Sequence, residues 1–207
     1  MAKINLQEAF WHVPICPSFR RFLTFDWKDR SWCFAVMLFG LAIAPVAFAN
    51  LMNFPKKLLE AQGHKIVNYL DDWLVWAPTQ EQCSKTIKAL TNLLQSLGFL
   101  IHWSKSITTP SQSLVWLGVE WRSSQETLSL PLERAEELSA KIMIFCKKDS
   151  TTRREVESIL GSMNFVAGWL PKVKLEKNLI VPFLRQLPNC RTMKNDIPNS
   201  VRENLSW

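Results

Sequence analysis

The chain has 207 residues, of which 47% are hydrophobic and 21% charged, a composition typical of a globular protein with one large domain or one domain and a small satellite. A formal net charge of +7 favours a polyanionic partner. The 5 cysteines are scattered and form no CxxC pair, which argues against a disulfide framework and a zinc site. Reduced thiols in an intracellular protein are therefore expected, with cytoplasm and nucleus both open.

Residues 31–54 carry no charge, and this segment is long enough to suggest a membrane span. Gly40 and Pro45 interrupt it, and a buried strand, a turn and the start of a buried helix explain it as well. We therefore favour a protein that does not enter a membrane. Lys3–Glu8 is not an apolar run, so no signal peptide is expected at this position.

The first part of the chain predicts a strand, a hairpin and a helix. The strand is expected at Lys3–Leu6, followed by a short helical turn, and the hairpin has strands at 19–25 and 31–36 with a polar turn at 26–30. Pro45 suits the first turn of a helix over 45–61, which Pro55 should kink or shorten.

Two adjacent carboxylates, Asp71 and Asp72, lie between the apolar runs 65–70 and 73–76. This pattern predicts a strand, a tight turn and a second strand. Two charges at the tip of an apolar hairpin cost desolvation free energy unless a positive charge lies beside them. A divalent cation such as magnesium prefers carboxylate oxygens. The alternative is that the turn is acidic only because turns favour Asp, and this segment alone leaves both interpretations open.

The next elements complete an α+β pattern. Thr79, with Gln82 three residues later, predicts a capped helix that ends at Gly98. Strands are expected at 99–103 and 114–121. The order of elements over residues 1–121 predicts an α+β fold with an antiparallel sheet backed by helices.

After Ser124 the pattern becomes helical. One helix is predicted over 132–148, and a capping box of Thr152 and Glu155 begins another. From Lys172 onward, seven basic residues stand against three acidic ones, and prolines interrupt the segment. An irregular solvated tail is the simpler interpretation, and a basic surface for nucleic acid is the functional one.

The order of these motifs resembles the palm and thumb of retroelement reverse transcriptases, from about Lys3 to Leu170. Trp73 after the paired aspartates looks most like the class of retrotransposons that carry a tyrosine recombinase. Five blocks in the family's order carry the resemblance: Lys3–Phe10, Leu38–Phe48, Tyr69–Asp72 (the YLDD motif), Leu97–Lys105 and Trp116–Gly118.

The resemblance implies a reverse-transcriptase-like palm, truncated fingers and a small helical thumb. The corresponding domains are a palm over 1–124 with a residual fingers hairpin at about 16–37, a thumb-like region over 125–171, and a basic extension over 172–207. The chain starts at the family's first catalytic strand, so most of the fingers are expected to be absent.

The activity implied by the resemblance is RNA-directed DNA synthesis by nucleotidyl transfer with two Mg²⁺ (or Mn²⁺) ions. Its partners would be an RNA template, a DNA primer and a deoxynucleoside triphosphate, with an RNase H domain in a longer parent protein. The implied site consists of catalytic Asn5, Asp71 and Asp72, with both aspartates binding metal; nucleotide-binding Phe10, Phe39, Gly40 and Lys105; and a primer grip at Trp116, Leu117 and Gly118.

Three positions depart from the family pattern. Asn5 stands where the family has an aspartate, and a neutral amide cannot replace a carboxylate that bridges two cations. Glu8 is the milder change at the second acid, and Leu38 replaces a common proline. We therefore hypothesise a reverse transcriptase that is impaired because position 5 is Asn and because most of the fingers are missing. The alternative is a non-catalytic relic that binds nucleic acid or a protein partner, and an unrelated α+β domain with an acidic hairpin is a third interpretation.

Overall fold

A computed structural model describes residues 1–168, 171–190, 192–203 and 205. The chain divides into two compact units, Met1–Ser129 and Leu130–Trp207. Leu170, the end of the predicted thumb resemblance, lies outside the described residues, as does Arg191, one of the seven basic residues after position 171.

The first unit mixes short strands with two long helices, which confirms the predicted α+β class. Its elements are β1 (Ala2–Asn5), a 3₁₀ helix (Ala9–His12), α1 (Pro17–Arg20), β2 (Thr24–Trp27), β3 (Arg30–Cys33), α2 (Ala44–Ala61), β4 (Ile66–Tyr69), β5 (Asp72–Val75), α3 (Gln80–Ser96), β6 (Ser113–Trp116), β7 (Val119–Arg122) and β8 (Thr127–Ser129).

The central sheet has the strand order β1-β5-β4, and both of its pairs are antiparallel. Trp73 and Val75 of β5 are fully buried in a core that includes Phe48 of α2 and Leu90 of α3. Leu74, between them, is buried in a second cluster. Successive side chains of a strand point to opposite faces, so both faces of β5 are covered. Burying each large apolar side chain contributes about 1.5–3 kcal/mol, which holds the acidic hairpin on a rigid support.

The two long helices follow their predicted bounds closely. Thr79 caps α3 by accepting a hydrogen bond from the backbone N–H of Gln82 (3.2 Å). The helix α2 runs through Pro55 to Ala61, so the proline does not shorten it. Among the described residues, no helix combines the length and the apolar character that crossing a bilayer requires.

Three sequence predictions in this unit were wrong in detail: the strand at 99–103, the strand at 114–121 and the bounds of the first hairpin. The segment 99–103 is not a strand, although Ile101 forms an isolated bridge with Leu6. The single strand over 114–121 is a hairpin, because Leu117 (φ 49°) and Gly118 (φ 76°) form a two-residue turn. Positive φ at both turn positions matches the strand twist and favours Gly, but the continuous apolar run concealed the turn.

The first hairpin is also shorter than predicted. Residues 17–20 are helical, and the turn comprises Lys28 and Asp29, both with positive φ. The ends of the predicted polar turn belong to the strands β2 and β3.

The second unit is mainly helical and has its own core. Its elements are α4 (Leu132–Cys146), β9 (Ser150–Thr152), α5 (Arg153–Val166), α6 (Pro171–Gln186), β10 (Lys194–Asp196) and α7 (Asn199–Glu203). The predicted capping box of Thr152 and Glu155 is confirmed. The prediction of an irregular tail is wrong for 172–186, because α6 buries Val173, Ile180 and Phe183 in this core.

Candidate active site

The acidic hairpin is built by strands β4 and β5, with Leu70 and Asp71 as its turn. The pairing places Asp72 opposite Tyr69 of β4 and opposite Asn5 of β1. Leu70 adopts a left-handed backbone (φ 52°) at the first turn position, where glycine is the usual residue of such a turn. Strain of this kind persists where the surrounding structure holds it in place.

The Asn5 side chain joins the two acids. Its Nδ2 atom lies 3.1 Å from Asp71 Oδ2 and 2.5 Å from Asp72 Oδ1. Asn5 is 8% exposed, and its backbone is held on both sides. The Asn5 N–H donates to Ser106 Oγ (3.0 Å), and the His102 N–H donates to the Asn5 carbonyl (2.8 Å). The structure therefore brings the three predicted catalytic side chains to one point.

The orientation of the Asn5 amide follows from the charges around it. A carboxylate only accepts hydrogen bonds, whereas an amide has a donating NH₂ and an accepting oxygen. Turning the amide over would place Oδ1 against the oxygens of Asp71 and Asp72, so the hydrogen-bond network assigns Nδ2 to the acids.

The donor set at this point does not fit a pair of divalent ions. The site offers two carboxylates and a neutral amide whose donor hydrogens already face them. Two closely spaced dications need a shared anionic ligand to offset their repulsion, and Asn5 supplies none. Within the described parts of the chain, no group of three or more His, Cys, Asp or Glu residues is arranged to hold a metal.

A cavity of about 380 Å³ opens beside this point. Its lining includes five of the predicted site residues and, among those not assigned to the site, two with side chains that can carry charge. The five are Asn5, Phe10, Phe39, Asp71 and Lys105, and the other two are Glu8 and His102. The cavity therefore combines an acidic wall, a basic side chain and an aromatic wall.

Phe10 and Phe39 form the aromatic wall. Phe10 is 8% exposed, and its ring lies 5.0 Å from that of Phe39 and 5.3 Å from that of Phe48. Phe39 is 70% exposed. Phe10 thus contributes to the core and to the cavity at once.

Other predicted site residues lie elsewhere in the first unit. Gly40 follows Phe39 with a positive φ of 91° and does not line the cavity. The segment Trp116–Gly118 ends β6 and turns into β7 in a separate three-stranded sheet. The indole of Trp116 is buried against Leu74.

Sequence reasoning missed His102. The three histidines are far apart along the chain, so no ligand pattern pointed to any of them. The available signal was that His102 lies three residues before Lys105 in the same block.

Sequence comparisons find relatives among viral polyproteins. The Pro-Pol polyprotein of feline foamy virus is 26% identical over 98% of this chain and 16% of its own length. The genome polyprotein of Petunia vein clearing virus (isolate Shepherd) is 23% identical over 90% of this chain and 8% of its own length. The chain therefore spans less than a fifth of these curated relatives.

Two solved structures share the fold. A foamy viral protease-reverse transcriptase in complex with double-stranded DNA superimposes with a TM-score of 0.76, at 19% identity, over 99% of this chain and 34% of that one. The same type of protein in complex with an RNA/DNA hybrid gives a TM-score of 0.73, at 20% identity, over 99% and 26%. These matches support the predicted reverse-transcriptase-like palm.

The family assignment rests on the segment that carries the acidic hairpin and the cavity. A family model described as "Reverse transcriptase (RNA-dependent DNA polymerase)" matches residues 1–121, which is more than half of the chain and includes all the residues of the candidate site. The chain belongs to the reverse transcriptase family.

Proposed function

We propose that this chain is the palm and thumb portion of an RNA-directed DNA polymerase whose nucleotidyl transfer is impaired at Asn5. The observation that carries the proposal is the meeting of Asn5, Asp71 and Asp72 beside a cavity that Phe10 and Lys105 also line. The proposed domains are a palm over 1–124 with a fingers hairpin at about 16–37, a thumb over 125–171 and a basic extension over 172–207.

The proposed partners are an RNA template, a DNA primer and a deoxynucleoside triphosphate. The net charge of +7 suits a polyanionic partner, and the related solved structures hold double-stranded DNA or an RNA/DNA hybrid. A longer parent protein with an RNase H domain is part of the same proposal.

Each predicted site residue has a proposed role. Lys105 contacts the triphosphate, Phe10 closes the side of the ribose 2′-hydroxyl, and Phe39 and Gly40 contact the nucleotide. The segment Trp116–Gly118 is the proposed primer grip. Asp71 and Asp72 are the residues that would hold Mg²⁺ or Mn²⁺, although the present donor set does not fit two ions.

Asn5 is the proposed cause of the impairment. The amide is neutral, and its hydrogen-bond donors are directed at the two acids rather than leaving their oxygens free. Stabilisation of charge by a bound metal is worth several kcal/mol in the transition state. Because each 1.36 kcal/mol changes a rate about tenfold, the loss is expected to be about 100-fold or more.

A second candidate function is a non-catalytic relic that binds nucleic acid or a protein partner. The same two hydrogen bonds favour it, because they provide both carboxylates with a partner in the absence of any cation. A protein under no selection for nucleotidyl transfer can retain this arrangement together with its basic surface.

Primer extension on an RNA template, with Mg²⁺ or Mn²⁺, separates the two candidates. Incorporation by the unaltered chain that disappears on Asp71→Ala supports a working polymerase. Incorporation that appears only on Asn5→Asp supports the relic. Asn53→Asp, the same chemical change at an exposed position of α2, is the matched control and should alter nothing. If neither the unaltered chain nor Asn5→Asp incorporates nucleotides, the polymerase proposal fails.

We also propose that the chain derives from the tyrosine-recombinase class of retrotransposons. The support is Trp73, which directly follows the paired aspartates and is fully buried. Sequencing the DNA that flanks the gene tests this proposal. A tyrosine-recombinase reading frame in the same element is expected, and an integrase of another class there would contradict it.

A further inference from the structure

We infer that His102 contacts phosphate in the cavity, where it works with Lys105 to hold the polyphosphate of an incoming nucleotide. This inference rests on the proposed function and adds a residue that neither the motif nor the family match assigns. The supporting observation is that the backbone of residue 102 makes the hydrogen bonds that hold the fold, so its side chain is not needed for them.

The backbone of residue 102 performs the structural task. Its N–H donates to the Asn5 carbonyl (2.8 Å), and its carbonyl accepts from Ser106 Oγ (2.9 Å). Ser106 Oγ also accepts from the Asn5 N–H (3.0 Å). These hydrogen bonds attach residues 102–106 to the edge of β1 that does not pair with β5. Any residue type can make these main-chain bonds, so the attachment does not require an imidazole.

His102 is one of the residues that line the cavity, and its imidazole is oriented by Ser104. Its Nδ1 is 3.1 Å from the Ser104 hydroxyl. When that hydroxyl donates, the ring proton is on Nε2, and Nε2 can donate to an anion. A phosphate oxygen is a strong acceptor for such a donor.

The charges around the cavity decide where an anion can bind. Asp71 and Glu8 contribute negative charge from the hairpin turn and from the segment after β1. Lys105 leaves the same turn as His102, because its backbone N–H donates to the His102 carbonyl (3.1 Å). His102 and Lys105 therefore form the wall that can accept a phosphate group.

The other two histidines have structural partners. His64 Nδ1 lies 2.8 Å from Thr86 Oγ1, away from this cavity. His12 Nε2 accepts from the Leu100 N–H (3.2 Å), and its ring packs against that of Phe99. Their imidazoles connect elements of the fold, whereas at residue 102 the backbone makes that connection.

Calorimetric titration with tripolyphosphate, in buffer with EDTA, tests the inference directly. His102→Ala should weaken binding about tenfold, the effect of losing one hydrogen bond to a charged group. His102→Gln retains a side-chain donor and should restore part of the affinity. His64→Ala is the matched control and should bind like the unaltered chain. Thermal unfolding of each variant verifies that it is folded.

A role in the fold alone would not distinguish ligands with and without phosphate. Binding of deoxythymidine, which lacks phosphate, should therefore be the same for the unaltered chain and His102→Ala. Equal tripolyphosphate affinity in these two proteins would overturn the inference, as would a lack of tripolyphosphate binding by the unaltered chain.

The result can be separated from that of the polymerase proposal. If the unaltered chain extends primers and Asp71→Ala does not, while tripolyphosphate affinity does not change on His102→Ala, the role of His102 is refuted and the polymerase assignment stands. If affinity falls on His102→Ala but no variant extends primers, the phosphate site is supported and the polymerase assignment fails.

Discussion

The carboxylate of Glu155 in the second unit and the paired carboxylates of the hairpin in the first unit are held in different ways. In the second unit, Glu155 accepts from the Thr152 N–H (2.9 Å) and the Thr151 hydroxyl (3.0 Å), and it pairs with Lys148. All these partners lie within a few residues of it. In the first unit, Asp71 and Asp72 share the neutral amide of Asn5, which is 66 residues from Asp71 along the chain. Glu155 thus pairs with a cationic side chain, Lys148. Asp71 and Asp72 instead accept hydrogen bonds from a neutral amide.

Adding a third charge to the hairpin should produce the largest effect on stability. Asn5→Asp replaces two hydrogen bonds with repulsion between carboxylates at a partly buried site, in which Asn5 itself is buried. In EDTA, the free energy of unfolding should fall by about 2–3 kcal/mol. Urea denaturation measures this change.

Manganese should restore part of the stability lost in Asn5→Asp, because a ligand that binds only the folded state stabilises it. Asn53→Asp is again the control and should respond to neither EDTA nor manganese. An Asn5→Asp protein as stable in EDTA as the unaltered chain would show that the amide bonds contribute nothing.

Removing the carboxylate that caps α5 should have the next largest effect. Glu155→Ala eliminates the capping box, the Thr151 bond and the pair with Lys148. A loss of about 1–2 kcal/mol is expected, the usual cost of deleting a helix cap. Thermal or urea unfolding measures it.

The control for Glu155→Ala is Glu157→Ala, which removes a carboxylate from the same helix. Glu157 pairs with Arg153 one turn away, an arrangement worth about 0.3–0.5 kcal/mol. Equal losses in the two variants would mean that Glu155 acts only as a surface charge.

The smallest expected effect is a dependence of stability on pH that Glu155 produces. Hydrogen bonding to Lys148 and to the Thr152 N–H lowers the pKa of Glu155 from an ordinary 4.5 to about 2. The stabilisation by Glu155 is therefore present above about pH 4.5, and it is lost as the pH falls towards 2.

Unfolding measured across this range should show the unaltered chain and Glu155→Gln converging in stability as the pH falls. At neutral pH, the free energies of unfolding of these two proteins should differ by less than about 1 kcal/mol. The reason is that the Glu155 side chain is 38% exposed and solvent screens its interactions. A difference that does not change with pH would show that the ionised carboxylate is not the stabilising form.

The best sequence predictions concern features that neighbouring residues determine. The caps at Thr79 and Thr152 follow from hydroxyls placed three residues before their partners. The acidic hairpin follows from two short apolar runs around a polar pair. The turn at Leu117 and Gly118 was missed because the apolar run continues through it, and α6 was missed because prolines and charges conceal its buried face.

By itself, the sequence determined the order of the motifs, the α+β class and the identity of the residues around the acids. It also determined that position 5 is an amide, which alters the chemistry available to the hairpin. Only the tertiary structure decided that this amide binds both aspartates and that His102 lines the cavity beside them. The reason is that β1 pairs with β5 across a long stretch of chain, and local patterns of hydrophobicity and turn residues do not specify which distant strands become neighbours.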